Sequence, residues 1–190
     1  ILGLSVFNGL EELVKSLYAV FYPDIAISAT EGKTFDITNN FIYRNGNSTT
    51  ATVGGASIAP MVGSASVFAF NTVVDNQIQN SGALAGGVFC DTSGFAAGNN
   101  LVVRNYVNSD PNRVNANTSG LCAFPSSTVA ANVMGLAFVR PDDNPYDYHL
   151  LAGSSAIDQA TTQSTVTVDA DGDARPQGAQ KDIGADEYKP

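Results

Sequence analysis

Near the carboxyl end, the stretch VDADGDARP places three aspartates, Asp169, Asp171 and Asp173, at every second position. Carboxylate oxygens are the ligands that calcium prefers, and acids at alternate positions are typical of calcium-binding loops. An EF-hand loop also requires glycine at its sixth position and a bidentate acid at its twelfth. Counted from Asp169, glycine comes fourth (Gly172) and the twelfth residue is Gln180. The segment is therefore not an EF-hand.

Two interpretations of this acidic segment remain. In the one we favour, Arg175 and backbone amides satisfy the acids within a rigid turn, because an arginine two residues beyond Asp173 can pair bidentately with a carboxylate. In the other, the three aspartates bind a structural calcium ion together with a later acid. The later acids are Asp182, Asp186 and Glu187. We expect no cofactor other than this calcium.

Catalytic groups are few elsewhere in the chain. The only histidine, His149, lies between Tyr148 and Leu150, where a histidine is more often a structural hydrogen-bonding residue than part of a Ser/His/Asp triad. A glycosidase needs two carboxylates roughly 5–10 Å apart. The middle of the chain offers only scattered acids: Asp36, Asp75, Asp91 and Asp110. We therefore predict no catalytic residue, and a polysaccharide lyase or glycoside hydrolase is the alternative.

Composition and charge argue against two classes of partner. The formal net charge is −9, and ten of the eighteen acids lie in residues 141–190. This acidity repels phosphate backbones and no basic stripe is present, so we predict no nucleic-acid binding. No run approaches the roughly 18 apolar residues of a membrane span. Only 14% of the residues are charged, and small polar residues are abundant, which is typical of a β-rich extracellular protein.

A repeat of about thirty residues runs through the middle of the chain. NFIYRN at Asn40 recurs as NTVVDN at Asn71 and NLVVRN at Asn100, and fades into NVMGLA at Asn132. The first Asn residues are 31, 29 and 32 positions apart. The segments are short, β-branched and bounded by Asn and Gly, without an amphipathic helix in any period, which indicates a solenoid of strands. The sequence therefore predicts an all-β fold, a right-handed parallel β-helix of about five coils.

The Asn residues of the repeat have a structural role in such a fold. Asn tolerates the left-handed backbone conformation that a sharp corner between strands requires. Asn amides stacked on successive coils about 4.8 Å apart can also hydrogen-bond into ladders. The predicted ladders are Asn40, Asn71 and Asn100, and Asn45, Asn76 and Asn105. Ile42, Val73 and Val102 share one repeat position and are expected to stack inside the bore.

One position of the repeat carries Arg44, Asp75 and Arg104, whose charges alternate in sign on neighbouring coils. Stacked opposite charges contribute about 0.2–1 kcal/mol per pair, whereas like charges would oppose stacking. We predict a solvated row of ion pairs, and a sugar-binding row is the alternative.

A second repeated motif follows each copy of the first, and two of its copies contain the cysteines. Its copies are VGGASI at Val53, AGGVFC at Ala85 and SGLCAF at Ser119. Cys90 and Cys122 are 32 residues apart, the length of one coil, which favours a disulfide across adjacent coils. Measured from Gly87 and Gly120, however, the cysteines are offset by one residue, which would direct their side chains to opposite faces. Two free, buried thiols are therefore the alternative.

The two ends of the chain differ from the repeats. The sequence of residues 1–24 predicts an amphipathic helix that starts near Asn8 and stops before Pro23, and we expect it to plug the open end of the solenoid. A partner-facing or membrane-facing helix is the alternative. Residues 25–145 are expected to form the coils, and residues 146–190 a C-terminal coil and cap with the acidic turn.

The C-terminal sequence resembles a known family. YHLLAGSSAID from Tyr148, VDADGDARPQG from Val168 and KDIGADEY from Lys181 are similar to the closing stretch of bacterial right-handed parallel β-helix surface proteins of the choice-of-anchor Q domain type. Ser155 and Ala174 stand where that family usually has proline. The resemblance implies an exported or cell-surface module, related in architecture to polysaccharide lyases but generally without an assigned reaction.

These observations together predict a non-catalytic, extracellular or cell-surface β-helix module that serves as a scaffold or in adhesion and partner binding. Its partners would be carbohydrates or other proteins of a surface or complex. A structural subunit of a larger extracellular complex or filament is a further alternative, because an end coil exposes the edges of its strands.

Overall fold

The computed structural model describes residues 25–28, 34–45, 49–59, 65–80, 82–107, 116–161 and 164–190. These residues form an all-β structure in which no helix is present. The all-β prediction is therefore confirmed for the described residues. The amphipathic helix predicted within residues 1–24 lies outside them.

The described residues form fourteen short strands of two to four residues. The first seven are β1 (Ile25–Ser28), β2 (Asp36–Thr38), β3 (Phe41–Tyr43), β4 (Ala56–Ala59), β5 (Val67–Ala69), β6 (Thr72–Val74) and β7 (Gln77–Ile78). The others are β8 (Val88–Cys90), β9 (Leu101–Val103), β10 (Tyr106–Val107), β11 (Thr118–Gly120), β12 (Thr128–Ala130), β13 (Phe138–Arg140) and β14 (Asp147–Leu150). Strands β3, β5, β6 and β9 are apolar or β-branched triplets that end at a left-handed corner.

The strands of successive repeats pair in parallel. One sheet has the order β1-β4-β8-β11 and another the order β12-β9-β6-β3, while β2 pairs with β5 and β7 with β10. Ile42 lies opposite Val73, and Val73 lies opposite Val102, so the predicted stack of these three side chains is confirmed. Among the strands of the described residues, β13 and β14 are the only pair that is antiparallel. Each repeat thus adds one strand to each of several parallel sheets.

Two apolar clusters cover the two faces of the sheet that contains β6 and β9. The first lies among the parallel sheets and includes Ile42, Ile58, Phe68, Val73, Val88 and Val102. The second lies between this sheet and the carboxyl-terminal segment and includes Val74, Leu101, Val103, Phe138, Tyr148, Leu150 and Ile183. Because β6 and β9 are buried on both faces, their sequences do not alternate between apolar and polar residues: β9 is apolar throughout and β6 has two valines after Thr72.

Asn side chains are hydrogen-bonded in two files along the corners of the sheets. In the first file, the backbone N and the Nδ2 of Asn71 both donate to Oδ1 of Asn100, at 2.9 and 3.1 Å. In the second, the corresponding atoms of Asn76 donate to Oδ1 of Asn105, at 3.0 and 2.8 Å. Asn40 and Asn45 donate to Asn71 and Asn76 in the same way. The structure therefore brings all six predicted residues into the two files.

The corners themselves differ from the prediction. The ladder Asn residues do not take the left-handed conformation; the residue before each of them does. The first row of left-handed residues is Asn39, Phe70 and Asn99, and the second is Arg44, Asp75 and Arg104, with φ between 52° and 59°. The turn made by this preceding residue directs the following Asn side chain inward, where its amide reaches the next repeat.

The alignment of the fourth repeat copy on Asn132 is wrong. Thr128 pairs with Leu101, and Asn100 N donates to Oγ of Ser127 at 2.9 Å, so Ser127 holds the first ladder position of this copy. The second file continues instead through Asn117, whose Oδ1 accepts from both nitrogens of Asn105. The sequence prediction failed because this last period is 27 residues long and because Asn117 lies only 12 residues beyond Asn105.

A disulfide joins Cys90 and Cys122, whose Cα atoms are 4.9 Å apart. The alignment of SGLCAF with AGGVFC is wrong, because β11 pairs with β8 so that Gly120 lies opposite Cys90. Gly120 has a φ of +76°, and the turn there lets the chain bring Cys122 back to Cys90. The offset that argued for two free thiols came from this incorrect alignment.

Replacing Asn76 with alanine is expected to lower the free energy of unfolding by about 3 kcal/mol. Two nitrogens of Asn45 and the carbonyl of Ile42 lose the Asn76 side chain as partner, and Oδ1 of Asn105 keeps only the backbone N of residue 76 as donor. Urea denaturation measures this change. Asn132→Ala is the matched control, since that exposed side chain accepts a local hydrogen bond from Met134 N and its replacement should cost less than about 1 kcal/mol. Equal losses in the two variants would contradict a stabilising role for the files.

Reduction of the disulfide, or the double replacement of Cys90 and Cys122 by alanine, is expected to lower the free energy of unfolding by about 3–4 kcal/mol. The bond closes a loop with a sequence separation of 32, which limits the conformations open to the unfolded chain. Urea denaturation with and without a thiol reductant measures the change. The double variant is the control and should not respond to the reductant, whereas an unchanged stability of the fully reduced native sequence would contradict the expectation.

Candidate functional site

Three charged side chains meet where successive strands of one sheet end. Arg44, Asp75 and Arg104 directly follow β3, β6 and β9, which pair in register, so the left-handed corners bring them into one file. Arg104 Nη2 donates to Oδ2 of Asp75 at 2.8 Å while its Nε donates to Oδ1. Arg44 Nη2 lies 3.8 Å from the same carboxylate. The three residues whose charges alternate in the sequence thus form an ion-pair cluster.

Tyr148, from strand β14, seals this cluster from the side of the carboxyl-terminal segment. Its hydroxyl donates to Oδ2 of Asp75 and accepts from Nε of Arg44 at 3.1 Å. Asp75 is only 8% exposed and Tyr148 only 2%. Burial and the hydrogen bond to Asp75 raise the pKa of the Tyr148 hydroxyl well above its usual range. The expectation of a solvated row of ion pairs is therefore wrong at Asp75, because the closing segment covers it.

A cleft of about 260 Å³ opens beside the cluster. Its lining residues are Arg44, Asp75, Gln77, Arg104, Tyr106 and Asp142. The Arg44 guanidinium lies 3.6 Å from the centre of the Tyr146 ring, and Arg104 pairs with Asp142 at 2.9 Å. Both oxygens of Asp75 accept hydrogen bonds from Arg104 or Tyr148. The cleft can offer polar contacts to a ligand, but its buried carboxylate is not a free base or nucleophile.

The structure does not bring the carboxylates of the predicted calcium site together. Asp169 is buried, and its Oδ1 accepts from the backbone N of Asp171 and Asp173, at 2.9 and 2.7 Å, in a tight turn. Asp171 instead pairs with Nε2 of His149 at 2.8 Å, and Asp173 pairs with Nζ of Lys189 at 2.5 Å. The three side chains have three different partners.

Arg175 also differs from the prediction, because it does not pair with Asp173. Its Nη1 donates to Oε2 of Glu187 at 3.0 Å, and both side chains are completely enclosed. Its Nη2 donates to the carbonyl of Gly184 at 2.8 Å, and the guanidinium lies 4.9 Å from the centre of the Phe70 ring. Burial lowers the pKa of Arg175. The backbone amides thus satisfy Asp169 as expected, whereas the arginine anchors the final segment to the sheet.

His149 lies among three aspartates. Its Nδ1 is 2.5 Å from Oδ1 of Asp147, its Nε2 is 2.8 Å from Oδ2 of Asp171, and Asp186 is close by. Burial opposes protonation, but the hydrogen bond to Asp147 and the charges of Asp186 and Asp171 together raise the pKa of His149. His149 thus has the hydrogen-bonding role that was predicted from the sequence. The sequence did not, however, indicate which residues would be its partners.

Sequence reasoning missed Tyr148, the residue that completes the cluster at Asp75. The signal was present in the alternation of DYHL, because residues two apart on a strand share a face and Tyr148 and Leu150 are both buried in β14. No sequence signal connected that face to Asp75, which is 73 residues earlier in the chain.

Comparisons with known proteins add no assignment, since no protein-family model, curated protein or solved structure matches this chain. The part of the chain that the structure describes contains no helical segment with the length and apolarity of a membrane span.

Replacing Tyr148 with phenylalanine is expected to reduce the loss of stability at alkaline pH. An unfolded tyrosine ionises near pH 10, whereas Tyr148 with its raised pKa stays protonated in the native state. The native state therefore binds one more proton, and its stability falls by about 1.4 kcal/mol for each pH unit above 10. Urea denaturation between about pH 9 and 11 measures this slope.

Tyr43→Phe is the control, because Tyr43 is exposed and packs against the Tyr148 ring. A Tyr148→Phe slope as steep as that of the native sequence would contradict the assignment.

Proposed function

We propose that this chain is a right-handed parallel β-helix module of an exported or cell-surface protein, and that it acts as a non-catalytic scaffold for partner binding. Parallel sheets whose neighbouring strands are 27–32 residues apart support the solenoid, because each period supplies one strand to each sheet. A right-handed crossover between parallel strands is the general rule for such connections.

The non-catalytic assignment rests on one observation: the charged side chains at the cleft are paired with one another. A general base must be able to take a proton from the substrate, and a retaining or inverting glycosidase needs two available carboxylates. Asp75 is held by Arg104 and Tyr148, and Asp142 pairs with Arg104. The same contacts join the last strands to the corners of the repeats. They therefore have a structural purpose that requires no reaction.

Two features support an exported or cell-surface location. A disulfide between Cys90 and Cys122 is stable in an oxidising compartment and uncommon in reducing ones. The similarity of the C-terminal motifs to choice-of-anchor Q domain proteins points in the same direction. Carbohydrates and other surface proteins are the proposed partners, since the cleft presents two partly exposed guanidinium groups together with Gln77 and Tyr106.

The test is incubation with a panel of plant, algal and bacterial glycans, with and without calcium. We expect neither unsaturated uronates nor new reducing ends above the blank. We expect Asp75→Asn to lower the free energy of unfolding by on the order of 2 kcal/mol, because Arg104 and Tyr148 lose their charged partner in a mostly buried position.

Asp91→Asn is the matched control, because this exposed aspartate lies directly after β8 and does not line the cleft. It should change neither the stability nor the product signal. Product formation by the native sequence that is lost in Asp75→Asn but kept in Asp91→Asn would overturn the scaffold proposal and favour a polysaccharide-degrading enzyme.

A further inference from the structure

Three metal-ligating side chains converge from three separate parts of the carboxyl-terminal segment. His149 is on strand β14, Asp171 is on the acidic turn, and Asp186 is close to the end of the chain. One ligand atom from each lies within 4.8 Å of the others, the only such trio of His, Cys, Asp or Glu in the part of the chain that the structure describes. Ligands held about 2.1 Å from one tetrahedral ion are about 3.4 Å apart. The 2.8 Å between Nε2 of His149 and Oδ2 of Asp171 would therefore lengthen slightly, and the other separations, all within 4.8 Å, reach this spacing after a small movement. Asp171 can supply this movement because it is exposed.

The imidazole of His149 is oriented as in metal sites. Its Nδ1 is hydrogen-bonded to Oδ1 of Asp147, and the same oxygen accepts from the backbone N of His149 at 3.0 Å. A carboxylate that holds one histidine nitrogen fixes the tautomer and the ring plane, and leaves the other nitrogen for the metal. Here Nε2 is directed toward Asp171.

The carboxylates at this position also carry more negative charge than the imidazole can balance. Asp186 is 7% exposed, and within the described residues its carboxylate accepts one hydrogen bond, from Leu150 N at 2.6 Å, and has no ion-pair partner within 4.0 Å. A single imidazole faces the carboxylates of Asp147, Asp171 and Asp186. Burying carboxylates whose charge is not fully balanced is costly, and a divalent cation would balance more of this charge than one imidazole can.

We propose that His149, Asp171 and Asp186 bind a divalent transition-metal ion of the zinc class. One imidazole nitrogen with two carboxylate oxygens suits zinc, cobalt or manganese, whereas calcium and magnesium prefer oxygen ligands alone. This site shares Asp171 with the calcium site expected from the sequence, and it uses Asp186, one of the later acids that were candidates to complete that site. Its three ligands leave a further coordination position for water. The ion would join strand β14, the acidic turn and the final segment.

The test is titration of the untagged chain with Zn²⁺ alone, and separately with Ca²⁺ alone, by isothermal calorimetry at a pH slightly above neutral. We expect one Zn²⁺ per chain, with Ca²⁺ binding at least about tenfold weaker. His149→Gln and Asp171→Asn should each weaken Zn²⁺ binding at least about tenfold, because each removes a ligand. Asp173→Asn is the matched control and should change binding less than about twofold, since it alters the same turn but pairs with Lys189. Absent Zn²⁺ binding, Ca²⁺ binding as tight as Zn²⁺, or undiminished binding by His149→Gln would overturn the proposal.

A measurement on the native sequence keeps the proposal testable even if a variant fails to fold. His149 is the only histidine in the chain, so its ring nitrogens give a unique set of signals in a ¹⁵N NMR spectrum. One equivalent of Zn²⁺ should shift the Nε2 resonance to the range of a metal-bound nitrogen, while Nδ1 stays protonated against Asp147. An Nε2 resonance that does not change with Zn²⁺ would show that the imidazole is not a ligand.

Discussion

The structure depends on the hydrogen-bonding requirement of a buried asparagine amide. The Nδ2 of Asn76 donates both to Oδ1 of Asn105 and to the carbonyl of Ile42, while its own Oδ1 accepts twice from Asn45. An amide buried without partners would cost several kcal/mol, so each Asn needs another polar group at the same position of the next repeat. A shift of one residue between repeats would break these bonds and move the apolar side chains to the other face. The Asn files therefore fix the register of the parallel sheets.

The charge cluster at Asp75 is a consequence of the corners that make these files possible. An L-residue in the left-handed region costs about 1–2 kcal/mol, and Arg44, Asp75 and Arg104 all adopt it. At this corner the three side chains come into one file, where opposite charges pair and Tyr148 covers them. The favourable pairing offsets part of the backbone cost. The charge cluster at Asp75 resembles an active site, but it also stabilises the corner whose backbone conformation is unfavourable.

Local patterns in the sequence predicted the repeating part of the fold, but not the contacts made by the closing segment. The spacing of Asn40, Asn71 and Asn100 was sufficient to predict their file, because a regular period repeats the same environment. Asn117 was missed because the last period is irregular, and the local pattern near Asn132 imitated a fourth copy. The pairing of Arg175 with Glu187 could not be predicted, since Asp173 is the nearer acid and only the path of the folded chain brings Glu187 close.

The acidity of the closing segment is explained by its irregular backbone. Among the described residues beyond Leu150 there is no strand, only an isolated bridge between Val168 and Ala174, so most backbone N–H groups there need acceptors other than a sheet partner. Carboxylates supply them, since Asp169 accepts from three backbone nitrogens and Glu187 and Asp182 from two each. The local net charge therefore arises largely from side chains turned inward as acceptors rather than from a surface for cationic partners. Asp186 accepts only one such bond, which sets it apart from these neighbours and directs attention to its proximity to His149.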